Sequence, residues 1–457
     1  MEGSLRLAGQ RVLVVGLARS GAAAARLARA RGARVTVTDR RAATELAPAL
    51  RELGDGVDLA LGGHDRADFT RADLVVVSPG VPLALPEIQE ARRQGVPVMA
   101  EVELAARLLP EVPIVGITGT NGKSTTTALT GELLARDRRV FVGGNLGTPL
   151  AELVLAGRPV DAVVLELSSF QLEGIERFRP TVAALLNITP DHLDRYRDVE
   201  EYALAKARLF ANQQPDDWAI ANARDPRTVA LAGSSRARLA TFGFGPPAPR
   251  AARAPGPGGE LWLATCEGGA ERYEVRSRAL RGRHNLENAM AAALCARVLG
   301  VPGREVQAGL DAFRGLPHRL ELVRERAGVE WVNDSKATNV DSTVVGLSAF
   351  PAGRPHVVLI LGGRGKRAPY APLRPLFQER VKVVLTIGED APTVERELAG
   401  AAPIEAAGTL AAAIERAAAL TGPGDVVLLS PACASYDQFR SYEHRGETFR
   451  QLVEALP

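Results

Sequence analysis

Gly116-Ile-Thr-Gly-Thr-Asn-Gly-Lys-Ser124 marks a strand turning into a helix: an apolar, β-branched run at 113–118 leads in, and Thr125, Thr126 and Thr127 lead out. A glycine-rich turn at such a junction cradles an anion, because its backbone N–H groups and the helix N-terminus face the ligand. Gly119, Thr120, Asn121 and Gly122 supply the turn, Lys123 reaches β- and γ-phosphates, and Ser124, followed by Thr125, offers a hydroxyl to Mg²⁺. The general pattern G-x-x-x-x-G-K-[ST] is not met literally, since Ile117 stands where its first glycine belongs. The competing reading, a plain turn before an ordinary helix, gives no packing reason for Gly-Lys-Ser-Thr-Thr-Thr at this place.

Working outward, short β-branched runs at 11–16, 34–39, 58–62, 74–80 and 96–101 alternate with Ala/Leu/Arg helical stretches on the N-terminal side. A helical stretch at 101–109 ends at Pro110 and Pro113. Beyond it come runs at 113–118, 140–144, 162–167 and 182–187, with a long helical stretch at 199–212. The Pro/Gly/Ala-rich segment 243–259 has no periodicity and is expected to be an exposed loop. A helix at 286–299 precedes Gly315-Leu316-Pro317, and a third series places strands at 329–333, 356–361, 381–387 and 425–429. Strands alternating with helices make parallel sheets. The expectation is therefore an α/β chain of three consecutive domains with mainly parallel sheets: Rossmann-like over 1–110, a P-loop-type ATPase over 111–316, and Rossmann-like again over 317–457.

The length of 457 residues suits two to four domains. Hydrophobic residues at 46% and charged residues at 24% exclude wholesale disorder. With 56 basic and 53 acidic groups interspersed, a net charge of +3 draws the chain to neither nucleic acid nor a membrane surface. Cys266, Cys295 and Cys433 are too far apart for a thiolate metal site or a disulfide framework, which fits a reducing cytoplasm. No apolar run is long enough to span a membrane. Among the basic residues only five are lysine, against 51 arginines. Lysine is a compact charge that can lose its proton and react, so Lys123, Lys206, Lys336 and Lys366 either mark places where guanidinium will not serve or are chance survivors of codon bias.

Further candidates sit at strand ends. Glu166 closes the apolar run 162–165, near the phosphate turn, either as a carboxylate ligand for Mg²⁺ or as a surface or N-cap carboxylate. His192 lies in Asn187-Ile-Thr-Pro-Asp-His-Leu-Asp194 among acidic neighbours, either as a ligand or as a loop histidine. Lys206 stands in a helix whose other members look like core; the alternative is a side chain that snorkels to solvent. Gly16-Leu-Ala-Arg-Ser-Gly21 follows the first strand and Asp39 ends the second, as in a dinucleotide fold, but Ala18 replaces the middle glycine and blocks close pyrophosphate approach. A nicotinamide cofactor is therefore not expected. Ser78-Pro-Gly80, after the fourth strand, is either a second edge of that site or a plain turn. Asn333 to Asn339, Leu361 to Lys366 and Ser430 to Tyr436 place small or polar groups at strand ends of the last domain, and His318-Arg319 precedes them. Asn285 and Asn288 either read a base or cap the following helix.

Taken together, these residues resemble the Mur ligases of peptidoglycan synthesis, in its D-glutamate-adding branch, over essentially the whole chain. The resemblance rests on GTNGKST at 119–125, GGNLG at 143–147, LELSSFQL at 165–172, DHLDRY at 191–196, HNLEN at 284–288, PHR at 317–319, NDSKATN at 333–339 and SPACASYDQF at 430–439. It implies a cytoplasmic, monomeric, ATP-dependent ligase that joins D-glutamate to UDP-N-acetylmuramoyl-L-alanine through an acyl phosphate. Two Mg²⁺ ions, Lys123 and Arg319 would neutralise the anions that meet, with His318 beside them. It further implies that Lys206 is carbamylated by CO₂ and ligates metal with Ser124, Glu166 and His192. Asn285, Asn288, Arg319 and Asp334 would join the phosphate turn in holding ATP. The UDP substrate would lie near Arg19, Ser20, Asp39, Arg40, Ser78, Gly80, Asn145 and His192, and D-glutamate near Lys336, Thr338, Lys366, Ser435, Tyr436 and Tyr442. Arg364, Asp341, Tyr436 and Tyr442 depart from common choices in the family and bear on the amino-acid pocket.

Other readings fare worse. The N-terminal nucleotide domain argues against a folylpolyglutamate ligase, and GTNGKST with NDSKATN against the other Mur steps. A nucleotide-binding regulator that had lost catalysis would lack Lys123, Glu166, Lys206 or His318-Arg319, and all are present.

Overall fold

A computed structural model describes residues 5–145, 147–193, 195–246, 248–254, 256, 259–264, 269–366 and 368–457. Cys266 and Asp194, singled out above, lie outside the described residues, as do Pro247, Pro255, Pro257 and Gly258 of the expected loop. The chain forms two compact units: residues 1–256, 260–273 and 287–309 make the first, and residues 257–259, 274–286 and 310–457 the second.

The first unit opens with β1 (Arg11–Val15), β2 (Arg34–Asp39), β3 (Asp58–Leu61), β4 (Leu74–Val77) and β5 (Val98–Ala100), a parallel sheet in the order β3-β2-β1-β4-β5. The order reverses at β1 and β4, so both carboxyl ends face a crevice, where open α/β sheets bind ligands. Val12 to Val15 are buried on both faces, as the continuous apolar run requires.

The same unit continues with β6 (Ile114–Thr118), β7 (Val140–Gly144), β8 (Ala162–Glu166), β9 (Val182–Leu185), β10 (Trp218–Asn222), β11 (Arg238–Phe244), β12 (Ala251–Ala254), β13 (Glu260–Ala264) and β14 (Ala270–Glu274). They form one sheet in the order β14-β13-β12-β11-β10-β9-β6-β8-β7. Here the sequence expectation is corrected: part of the segment 243–259 is strand. β12 pairs parallel with β11 and antiparallel with β13, and Ala251, Ala252 and Ala254 are buried. Alanines have weak strand propensity, so only the neighbouring strands reveal this one.

Helix Glu101–Leu108 joins the two sheets of this unit and is anchored by its acids. Glu103, fully buried, accepts the N–H groups of Glu176 (2.9 Å), Arg177 (3.0 Å) and Phe178 (2.8 Å) as well as Arg107 Nε (2.5 Å). Glu101 accepts Ala151 N–H at 2.7 Å.

The second unit holds β15 (Glu321–Arg326), β16 (Val329–Asn333), β17 (Val357–Gly362), β18 (Val381–Ile387), β19 (Ile404–Gly408) and β20 (Val426–Leu429), in the order β15-β16-β20-β17-β18-β19. All neighbours are parallel except β15 and β16. Two apolar layers, one around Phe377 and Leu359 and one around Trp331 and Phe449, cover its faces. The α/β class and the mainly parallel sheets are as the alternating pattern predicts. Strand β19 (IEAAG) is half-exposed and too weakly patterned to be read in advance.

Candidate active site

The phosphate turn forms where β6 ends and helix Lys123–Leu134 begins. Gly122 has φ +85°, and a Cβ there would lie 2.3 Å from Asn288 Oδ1, so only glycine fits. The turn is braced from the loop after β9. Thr120 N–H donates to Asn187 O (3.0 Å), Asn121 N–H to Asn187 Oδ1 (2.8 Å), and Asn187 Nδ2 to Asn121 O (3.0 Å). Thr126 Oγ1 donates to Asn288 Oδ1 at 3.2 Å, which ties helix Arg283–Val298 to the first turn of the phosphate helix. Lys123 folds back over the turn, its Nζ donating to Thr120 O (2.7 Å) and Gly119 O (3.0 Å). Ser124 is buried in the first helical turn, with Thr125 beside it partly exposed.

Lys206, 1% exposed on helix Val199–Ala207, reaches the same turn and donates to Gly119 O at 2.9 Å. Burial, and then the charge of Lys123, push its pKa down to about 7; Asp191 and Glu166 oppose them. Its Nζ also lies 4.5 Å from the Tyr202 ring centre. Glu166 is paired in register with Ile117 across β8 and β6, which sets it beside the turn. It is 3% exposed; Oε1 accepts Asn145 Nδ2 at 2.6 Å, while Oε2 is buried without a hydrogen-bond partner.

A buried carboxylate oxygen with no partner costs several kcal/mol unless something fills its need, so Glu166 has the chemistry to hold a cation. Oxygen donors of this kind suit Mg²⁺. Among the described residues no group of three or more His, Cys, Asp and Glu side chains is gathered to hold a metal. His192, in a left-handed conformation (φ 53°), keeps its ring 4.9 Å from Phe170 and 3.6 Å from Asp191, and is 44% exposed.

In the same unit Arg19, Ser20, Asp39, Arg40, Ser78 and Gly80 line one cavity of about 500 Å³ at the crevice of the first sheet. Ser78 Oγ donates to Gly16 O (2.7 Å), closing the β1 turn onto the β4 turn. Burial raises the Asp39 pKa, but hydrogen bonds from Arg41 and from Leu17 N–H outweigh it and hold the carboxyl at about 2. Arg19 Nη1 donates to Gly147 O (2.8 Å), in the loop that carries Asn145. Two wall residues, Arg41 and His64, escaped the sequence reading; Arg41 follows Asp39 by two positions, but nothing local marks His64. Arg195 was also missed: it donates to Pro79 O (3.2 Å) and Glu173 Oε2 (2.7 Å) and covers the Phe170 ring at 4.1 Å.

In the second unit the three strand-end motifs converge. Arg364 and Ala434 exchange backbone hydrogen bonds (2.9 and 3.0 Å), joining the 361–366 turn to the 430–436 turn. The Arg364 side chain pairs with Glu389 on the surface. Arg445, 1% exposed and missed by the sequence reading, donates to Ser335 Oγ (3.0 Å), Ser335 O (2.9 Å) and Cys433 O (3.1 Å). Asp334 accepts Ser430 Oγ at 2.8 Å, and burial raises its pKa to about 7. His318 has φ 63°; its Nδ1 is 3.0 Å from Asn333 Nδ2, and burial lowers its pKa. Arg319 next to it is partly buried. Lys336 Nζ donates to Tyr442 Oη at 2.7 Å. Ser435 is buried, Thr338 partly so, Lys366 is exposed, and Tyr436 is 65% exposed. Asn285 Nδ2 donates to Arg281 O (3.0 Å), holding the turn before its helix. Asp341 lies in the first turn of helix Val340–Ser348, where an acid suits the helix dipole.

Three family models match the chain: a Mur ligase MurD-like N-terminal domain over residues 10–100, a Mur ligase middle domain over 117–296, and a Mur ligase glutamate ligase domain over 318–433. A UDP-N-acetylmuramoylalanine--D-glutamate ligase of Anaeromyxobacter dehalogenans is 72% identical over 452 residues, covering 98% of each chain. The Myxococcus xanthus protein of the same name is 55% identical, covering 99% of this chain and 100% of that one. Among solved structures, a UDP-N-acetylmuramate-alanine ligase MurC of Thermotoga maritima aligns with TM-score 0.57 at 20% identity over 98% of this chain and 99% of its own. MurF of Acinetobacter baumannii aligns with TM-score 0.59 at 19% identity over 93% and 86%. These two likenesses concern the fold.

Proposed function

The chain belongs to the Mur ligase family, and from that premise we propose that it joins D-glutamate to UDP-N-acetylmuramoyl-L-alanine in peptidoglycan precursor synthesis, using ATP. The observation that carries the reading is the buried, half-partnered Glu166 carboxylate beside a phosphate turn that two lysines already bracket. Such a place suits a metal-bound triphosphate and few other ligands.

The reaction brings a carboxylate against a triphosphate, so charge neutralisation is the first demand. The substrate carboxylate attacks the γ-phosphorus, the bond to the β-phosphate oxygen breaks, and ADP leaves. The D-glutamate amine then attacks the acyl carbon, loses a proton, and phosphate departs. Lys123, once drawn off its carbonyl contacts by the anion, would pair with the β- and γ-phosphates, with Gly119, Thr120, Asn121 and Gly122 giving backbone N–H groups and Thr125 closing the turn. Bound Mg²⁺, two ions in this reading, supplies Lewis-acid neutralisation of the phosphate oxygens; Ser124, Glu166, His192 and a carbamylated Lys206 would hold it. The neutral amine of Lys206 would attack the carbon of CO₂ and release a proton to solvent, giving a carbamate whose oxygens could ligate metal. His318 and Arg319 would meet phosphate and Asn285, Asn288 and Asp334 the nucleoside. Arg19, Ser20, Asp39, Arg40, Ser78, Gly80 and Asn145 would hold the uridine diphosphate substrate. Lys336, Thr338, Lys366, Ser435, Tyr436 and Tyr442 would take D-glutamate, the cations pairing its carboxylates. Dependence on ATP places the work in the cytoplasm; among the described residues no helix is long and apolar enough to cross a membrane.

The test is phosphate release from ATP with Mg²⁺, bicarbonate and UDP-N-acetylmuramoyl-L-alanine, comparing D-glutamate, L-glutamate and glycine. Release confined to D-glutamate is expected. Release with L-glutamate instead would keep the ligase chemistry and reject the assignment around Lys366 and Tyr436, and silence with every amino acid would reject the function.

A further inference from the structure

The cavity at the crevice of the first sheet carries a ring that no motif announces: His64, from the turn after β3. Its Nδ1 lies 2.9 Å from Thr38 Oγ1. The Thr38 hydroxyl has already given its hydrogen to Gly63 O, at 3.0 Å. A hydroxyl owns one hydrogen and otherwise accepts, so the hydrogen between ring and hydroxyl belongs to His64 Nδ1. The neutral ring then presents Nε2 as an acceptor. Burial, with Arg40 in the same sense, lowers the His64 pKa against the opposing charges of Glu87 and Asp39, so the ring is neutral near pH 7.

The carboxylate on the same wall is spent. Asp39 accepts Leu17 N–H (2.8 Å), Arg41 N–H (2.9 Å), Arg41 Nε (3.1 Å) and Arg41 Nη2 (2.8 Å), which fills the roughly four lone-pair directions of a carboxylate. Glu87 has a buried oxygen without a partner, but it does not line the cavity. Leu17, Val81 and Leu85 give the cavity apolar walls beside His64, against which a flat base would lie with its edge toward the ring.

We propose that His64 determines base specificity in this cavity: its Nε2 accepts the imide N3–H of a uracil ring and so selects uridine over cytidine nucleotides, whose N3 is itself an acceptor. The proposal rests on the uridine diphosphate reading of the cavity above. Replacing an imide donor by an acceptor sets two lone pairs against each other, and a site built for a hydrogen bond rejects the analogue that lacks it.

Calorimetric titration of the full chain with UDP, CDP and N3-methyl-UDP tests it, alongside His64→Phe, which keeps a ring without the acceptor, and Thr38→Val, which frees the tautomer. The wild type is expected to bind UDP at least about tenfold tighter than either analogue. His64→Phe should weaken UDP by about that factor and leave CDP unchanged, and Thr38→Val should narrow the UDP/CDP ratio, with both melting as the wild type does. If the wild type selects UDP and His64→Phe keeps the full ratio, the His64 assignment falls while the uridine reading stands. If His64→Phe does not fold, an undiminished ratio in Thr38→Val overturns the assignment in its place. A wild type that does not bind UDP overturns both.

Discussion

Lys123 and Lys206 share one acceptor: their ammonium nitrogens lie 3.0 and 2.9 Å from the carbonyl oxygen of Gly119. A like charge this near disfavours the charged form, and burial disfavours it further. Lys206 is the more deeply buried of the pair, and its burial, with the charge of Lys123 added to it, brings its pKa down to about 7. Burial first, and the neighbouring charge second, thus prepare an amine where an ordinary lysine would present an ammonium.

The first expectation is that this amine takes up CO₂. With ¹³C-labelled bicarbonate, a carbamate carbonyl resonance should grow between pH 6 and 8 as the neutral fraction rises, and should vanish in Lys206→Arg. Lys206→Ala should cut phosphate release by about a hundredfold, the scale on which loss of one positioned charge acts. A spectrum with no carbamate signal at pH 8 would remove Lys206 from the metal ligands.

Gly122→Ala should damage nucleotide binding more than it damages the fold. The left-handed backbone at φ +85° costs a side chain about 1–2 kcal/mol, and the new Cβ would press on Asn288 Oδ1, 2.3 Å away. Asn288 must shift, and with it the hydrogen bond from Thr126. An ATP Kd raised about tenfold or more is expected, with a melting temperature lowered by only a few degrees. An unchanged Kd by titration would refute it.

Arg195 ties the turn that carries His192 to the turn that lines the cavity at the crevice of the first sheet. Its own N–H donates to His192 O (2.9 Å), while its guanidinium holds Pro79 O and Glu173. Arg195→Ala should therefore raise KM for the uridine nucleotide substrate and lower kcat together, leaving KM for D-glutamate unchanged. Arg195→Lys should not restore either, because a single ammonium cannot hold both partners and cover the Phe170 face. Steady-state kinetics with each substrate varied in turn would decide it.

Glu101 makes stability depend on pH. Burial raises its pKa from 4.5 to about 7, against the hydrogen bond from Ala151 N–H. The folded state therefore keeps a proton that the unfolded state has lost, and stability falls as pH rises from about 4.5 to 7. Glu101→Gln removes this dependence while its amide oxygen can still accept Ala151 N–H. The variant should gain on the order of 1–3 kcal/mol over the wild type at pH 8 relative to pH 5, measured by urea unfolding at both values. Equal gains at the two pH values would show that Glu101 titrates normally.

Where a residue's position follows from local pattern, it is legible in the sequence. The phosphate turn is legible because glycines, a lysine and hydroxyls must stand at set offsets where a strand meets a helix, and Glu166 because it ends an apolar run. Asp39, Ser78 and the three strand-end motifs of the last sheet follow the same logic. Arg195, Arg445 and His64 were missed because their partners are remote in sequence: Arg445 holds Ser335 from 110 residues away, and Arg195 reaches Pro79 across 116.

The sequence by itself determined the α/β alternation, the parallel sheets, the glycine-rich turn between strand and helix and the short roster of lysines, since each follows from residue type and spacing along a strand or helix. Only the tertiary structure decided that β12 exists, that Lys123 and Lys206 meet on one carbonyl, that one oxygen of Glu166 is left without a partner, and which nitrogen of His64 holds the hydrogen. Those properties depend on burial and on which donor finds which acceptor, and both arise only when segments distant along the chain are packed together.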